Sequence, residues 1–145
     1  MKVKLIFCLV LLTVLMVACD LKRDNPLDPQ SHLDVVVPGT VSGLQLIPMG
    51  TGTEARAVYI SWNNNNIFDT NGYYVYRGLS FYSSYAIIDT VYHAMNADNQ
   101  SYTHSSENDP TVQTGDYWYR ISAFKDYPSG RLEGRPCTPV HVRVK

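Results

Sequence analysis

An all-β sandwich is the fold this chain predicts, and three observations predict it. From Gly39 onward no helical period is sustained. Short runs recur with apolar residues at every second position, as in Val58-Tyr59-Ile60-Ser61-Trp62, Tyr117-Trp118-Tyr119-Arg120-Ile121-Ser122-Ala123 and Val140-His141-Val142-Arg143-Val144-Lys145. Turn chemistry falls between such runs, at Asn71-Gly72 and Ser129-Gly130. A period of two buries one face of a strand and leaves the other to solvent. About seven such strands in roughly 105 residues predict two antiparallel sheets packed face to face.

The chain starts elsewhere, with a different kind of pattern. Lys2 and Lys4 precede an uncharged apolar stretch from Leu5 to Ala18, which ends Leu15-Met16-Val17-Ala18-Cys19. A basic start, an apolar segment and a small-residue exit have the form of a secretory signal. The segment is short for a membrane span, which needs roughly 20 residues at about 1.5 Å each. Its end resembles the lipobox of bacterial lipoproteins, in which the cysteine thiol becomes a thioether to diacylglycerol and the chain is cut just before it. That resemblance implies a signal peptide over residues 1–18, a lipidated Cys19 and a bacterial cell-envelope protein whose first partner is a membrane. Asp20 resembles the signal that retains some lipoproteins at the inner membrane. The rule varies between lineages, so inner and outer membrane both stay open.

Residues 19–38 follow as the lipidated cysteine and a flexible tether. Asp20 to Pro38 is mostly polar, with Pro26 and Pro29 favouring extended backbone. Such a segment cannot bury enough apolar area to fold alone. As polyproline II it reaches about 60 Å, enough to hold a domain clear of lipid headgroups. The Arg23-Asp24-Asn25-Pro26-Leu27-Asp28-Pro29 stretch is similar to tethers of other bacterial lipoproteins.

Residues 39–145 form the predicted domain. Pro38…Val41-Ser42-Gly43-Leu44, then Ile60-Ser61-Trp62, then Gly72-Tyr73-Tyr74-Val75-Tyr76-Arg77 resemble strands A, B and C of a fibronectin type III domain, an immunoglobulin-like β-sandwich. Ser101-Tyr102-Thr103 resembles strand E, Gly115 to Ala123 strand F, and Pro139 to Val144 strand G. The likeness covers nearly all of the domain and rests on order and spacing. It implies that Val58, Ile60 and Trp62 oppose Tyr117, Tyr119, Ile121 and Ala123 across the core. It also makes Tyr117 the family's tyrosine corner, with Val112 in place of the usual leucine and no intervening proline.

Charge and cysteine content narrow the function. The 145 residues hold 12 basic and 13 acidic side chains; without residues 1–18, 127 remain, with 10 against 13 and a net charge of about −3. Positive charge is nowhere clustered, which argues against nucleic acid as a partner. Of the three cysteines, Cys8 belongs to the leader, Cys19 to the anchor, and Cys137 stays unpaired, either as a reactive thiol or as a small, partly buried residue near a strand end.

The candidate binding face follows from strand parity. If Tyr73 and Val75 face inward, Tyr74 and Tyr76 face outward, and Trp118 and Arg120 face outward from strand F. Strands C and F are neighbours in this fold, so the four form one aromatic and cationic surface. Such a surface suits stacking against a sugar or gripping a peptide; cross-strand pairing that only stabilises the sheet is the competing reading.

Other clusters carry less. Asn63 to Asn66 with Asp69, Asn71 and Gly72 offers oxygen ligands, but the later acid of a calcium loop is missing, so a B–C loop is expected. Gly50-Thr51-Gly52 lacks the lysine and helix of a phosphate loop and reads as an A–B turn. His32, His93, His104 and His141 show no metal-ligand spacing, and His141 falls on the outward side of strand G. Ser105-Ser106-Glu107 after His104 reads as a solvated E–F loop. No Gly-x-Ser-x-Gly or His-Glu-x-x-His occurs. Asp126 to Arg131, the expected F–G loop, has no Arg-Gly-Asp, so the integrin binding of some family members is not implied. These observations predict no catalytic residues, no metal and no cofactor. The expected function is a lipid-anchored adhesion or scaffolding module with a protein or glycan partner. The alternative is an accessory carbohydrate-binding lipoprotein of an envelope polysaccharide system.

Overall fold

The computed structural model describes residues 25–50, 56–94 and 97–145. They contain eight strands: β1 (Gln45–Met49), β2 (Ala57–Asn63), β3 (Gly72–Gly78), β4 (Ala86–Tyr92), β5 (Asn99–Ser105), β6 (Gly115–Tyr127), β7 (Gly130–Glu133) and β8 (Val140–Val144). No helix occurs among the described residues. One antiparallel sheet has the order β1-β2-β5; in the other, β4-β3-β6 is completed by β7 and β8, which pair with successive parts of β6. The fold is an immunoglobulin-like, fibronectin type III-like β-sandwich, as predicted.

Alternation explains the core. Val58, Ile60 and Trp62 of β2 are buried, as are Tyr73 and Val75 of β3 and Tyr117, Tyr119, Ile121 and Ala123 of β6. The two sets meet between the sheets, where the Trp62 and Tyr73 rings pack edge to face at 5.4 Å. Tyr117 makes the expected corner: its hydroxyl donates to the Gln113 carbonyl and accepts from the Gln113 amide, both at 3.0 Å. Val112 beside it is 2% exposed, so valine fills the position the usual leucine would take.

Several expectations are corrected. Asn71-Gly72 is not the turn; the chain turns at 67–69 and Gly72 opens β3. A Cβ on Gly72 would lie 2.6 Å from the Phe124 ring and 2.7 Å from the Val91 carbonyl, so glycine is required by close packing. Strand A starts later than Val41-Leu44, at Gln45, although the Ser42 carbonyl accepts the Asn63 amide at 3.0 Å. Asp126 to Arg131 is the tip of the β6–β7 hairpin, because β6 runs four residues beyond Ala123. Ser105 belongs to β5 and not to the E–F loop, which begins at Ser106, and His104 before it has 0% exposure.

The tether expectation changes as well. Residues 25–38 lie against the β6–β7 hairpin. Asn25 and Asp28 set the turns, their side-chain oxygens accepting the amides of Leu27 at 3.1 Å and Gln30 at 3.0 Å. Val35 is buried, and the Val36 amide and carbonyl both bond the Tyr127 hydroxyl, at 2.8 and 3.1 Å. The physical reason is the burial of the Val35 side chain together with the Tyr127 hydroxyl, which serves both backbone groups of Val36, while the Val36 and Val37 side chains stay exposed. Cys19 and the leader lie outside the described residues.

Candidate ligand-binding face

Strand pairing places the four face residues on the outer side of the five-stranded sheet. Tyr76 is opposite Arg120 in the β3–β6 register, Tyr74 is opposite Ser122, and Gly78 is opposite Trp118. Trp118 in turn faces His141 of β8. Their odd-numbered neighbours Tyr73, Val75, Tyr119 and Ile121 are the core. Parity therefore brings Tyr74, Tyr76, Trp118 and Arg120 onto one surface, and His141 is exposed on it.

At the centre, the Arg120 guanidinium stacks on two rings, 5.2 Å from the Tyr76 centroid and 4.3 Å from that of Tyr85. This covers Tyr76, which is only 8% exposed. The Tyr76 hydroxyl donates to Glu133 Oε1, which also accepts from Ser122 Oγ at 2.6 Å. Burial, reinforced by Glu133, pushes the Tyr76 pKa up to about 12. Tyr76 thus acts as a floor for Arg120.

At one end, Tyr74 packs on Phe124 at 4.9 Å, and Arg131 lies 3.8 Å above the Phe124 centroid. Arg131 is fully engaged: it donates to both oxygens of Asp126, at 2.6 and 3.1 Å, and to the Tyr74 hydroxyl at 2.8 Å. At the other end, Trp118 contacts Phe81 at 5.3 Å and His141 at 5.1 Å. Phe81 belongs to the β3–β4 loop, which Ser83 Oγ braces by accepting from the amides of Leu79 and Ser80. Gly78 permits this brace, since a Cβ there would lie 2.7 Å from Ser83 Oγ. Beside Phe81 and Arg120 opens a groove of about 540 Å³, within the volume range of small-molecule clefts.

Parity carries the sequence reading as far as β3 and β6. It misses Tyr85 and Phe81, because neither lies in a strand, and Arg135, which lies in the irregular link between β7 and β8. Phe124 follows the outward parity, so extending strand F by four residues would have found it, whereas Arg131 reaches this face from β7, opposite Asp126.

Elsewhere the polar side chains are used internally. His104 accepts at Nδ1 from the Tyr119 hydroxyl, at 2.8 Å, and donates from Nε2 to Asp109, at 2.9 Å. Asp109 also meets Arg77 at 3.3 Å and Thr111 Oγ1 at 2.7 Å. The order hydroxyl, imidazole, carboxylate matches an acid–base relay, but Tyr119 and His104 are both fully buried, so no substrate reaches the hydroxyl. In the B–C loop, Asn65 Nδ2 donates to the Gly39 carbonyl, Asn66 to Asp69, and Asn71 Oδ1 accepts the Asp126 amide. These groups tie the loop to its neighbours. Among the described residues no three His, Cys, Asp or Glu side chains gather in a way that suits a metal ion. Cys137 is buried, its sulfur accepting the Ile121 amide at 3.2 Å, and burial raises its thiol pKa. Gly50 is described, whereas Thr51 and Gly52 lie outside the described residues.

No protein-family model matches the chain, and no curated protein matches it.

Proposed function

We propose that the chain is a non-catalytic, lipid-anchored protein of a bacterial cell envelope, with a fibronectin type III-type domain that works as an adhesion or scaffolding module. The leader ending at Cys19 supports the membrane as its first partner; the outer face of the five-stranded sheet supports a second, a protein or a glycan. One observation carries the binding half. Arg120 lies over the rings of Tyr76 and Tyr85 and forms no ion pair with a described carboxylate, next to an open groove. A cation fixed by rings alone keeps its hydrogen-bonding capacity for a ligand.

The contact of Trp118 with Phe81 at the groove favours a second reading, an accessory carbohydrate-binding lipoprotein, since aromatic rings stack on sugar C–H faces.

Peptide and glycan arrays probed with the full-length protein test both. The double variant Tyr74→Ala, Trp118→Ala loses the bound species while keeping the wild-type far-UV spectrum. A variant that binds every species as wild type does rejects this face.

A further inference from the structure

We propose that the groove beside Arg120 and Arg135 binds a carboxylate-bearing saccharide, the uronate unit of an acidic glycan; this rests on the binding face described above and names its ligand class. Of the six described arginines only two have hydrogen-bonded or ion-paired guanidinium groups, and two of the other four, Arg120 and Arg135, share one groove. Arg77 is paired with Asp109 and Thr111, and Arg131 with Asp126 and Tyr74. Arg120 and Arg135 both line the groove, and neither guanidinium is hydrogen-bonded or ion-paired to another described residue. The Arg120 Nε is buried without a partner. A ligand in the groove therefore meets the terminal N–H groups of Arg120, since its Nε has no exposed surface. The acid that β7 brings to this face, Glu133, is engaged by Tyr76 and Ser122 and forms no ion pair with Arg120.

Two free guanidinium groups on one cleft suit a carboxylate, because each presents paired donors in a fixed plane. Stacking on Tyr76 and Tyr85 holds Arg120 in place before the ligand arrives, which lowers the ordering cost. The rest of the wall suits a sugar ring. Phe81 and Pro139 offer apolar surface, and Thr138 offers a hydroxyl.

An acidic peptide fits less well. An extended peptide binds a sheet edge through a run of backbone donors and acceptors. Along this edge Pro136 and Pro139 have no N–H, and the amides of Gly134 and Cys137 are already given to Ala123 and Ile121. The link between β7 and β8 therefore offers side chains and not a ladder.

Titration calorimetry of the full-length protein tests the assignment with three probes: an oligogalacturonate, its methyl-esterified neutral form and an oligoglutamate. The oligogalacturonate binds, raised salt weakens it, and Arg120→Gln and Arg135→Gln each weaken it by about tenfold or more. The neutral form binds at least about tenfold more weakly to wild type, and the two variants bind it alike. Arg135 is exposed and Arg135→Gln leaves the fold intact, so that variant remains informative if Arg120→Gln destabilises the sheet. Equal affinity for charged and neutral oligosaccharides overturns the uronate assignment but leaves a sugar-binding face in place. Oligoglutamate binding as tight as oligogalacturonate overturns the saccharide assignment. An unchanged affinity in Arg135→Gln overturns the arginine pair. If no array species and no oligosaccharide binds the wild type, the binding face itself fails.

Discussion

His104 of β5 and Tyr119 of β6 share a hydrogen bond of 2.8 Å that ties the two sheets together through the middle of the sandwich. Both side chains are fully buried. The bond fixes the histidine tautomer: Nδ1 accepts from the hydroxyl, so Nε2 carries the proton and donates to Asp109. A network of this kind stabilises only while the imidazole is neutral and the carboxylate ionised.

Acid therefore weakens the fold, and the sign follows from both groups. Burial, the largest influence, lowers the His104 pKa below its ordinary value near 6.5. The unfolded chain then binds a proton that the folded chain refuses, so stability drops as pH falls through about 6.5 and levels off below the folded pKa. Hydrogen bonds from Thr111 and His104 hold the Asp109 carboxyl well below the usual carboxylate range. Its contribution is present above the ordinary carboxylate pKa and disappears as pH falls through the depressed one. His93, also lowered by burial, acts in the same direction as His104. Urea melts from about pH 7.5 to 5 show the decline, and His104→Gln flattens part of it. A wild-type midpoint that rises on acidification contradicts the network.

Gly72→Ala destabilises the sandwich by about 1–3 kcal/mol, because the added methyl collides with Phe124 and with the Val91 backbone. Chemical denaturation measures the change. If Gly72 were only a turn residue, alanine would cost well under 1 kcal/mol.

Tyr127→Phe releases residues 25–38 from the hairpin while leaving the sheets as they are. The hydroxyl serves both the amide and the carbonyl of Val36, so its loss removes about 1 kcal/mol of local anchoring. Amide hydrogen exchange reports this as faster exchange at Val35 and Val36, with β2, β3 and β6 unchanged. Identical exchange in variant and wild type shows that this contact does not hold the segment.

Much of the fold was legible in the sequence because β2, β6 and β8 each bury one face, and burial on one face leaves a period of two. The missed strands lack that pattern. In β4, Ala86–Tyr92, only partly buried and exposed positions follow one another, and its register against β3 slips between Val75 and Tyr76. β7 has four residues, too few to show any period. The face was half legible for the same reason. Tyr74, Tyr76, Trp118 and Arg120 obey parity, whereas Tyr85 and Arg135 arrive from irregular segments that only the closed fold brings near Arg120. The role of His104 was not legible because its partners, Tyr119 and Asp109, are assigned by tertiary packing. The docking of residues 25–38 was hidden in the same way: a polar, proline-containing segment reads as free chain until Tyr127 and the hairpin supply a surface.

The proposal as a whole depends on where the working protein begins and what it carries there. Intact-mass and N-terminal peptide analysis of the protein, extracted with detergent from the membranes of the cells that make it, tests this most directly. The expected product is a chain starting at Cys19 with diacylglycerol in thioether linkage to its sulfur. A chain that starts at any other residue and carries no lipid contradicts it.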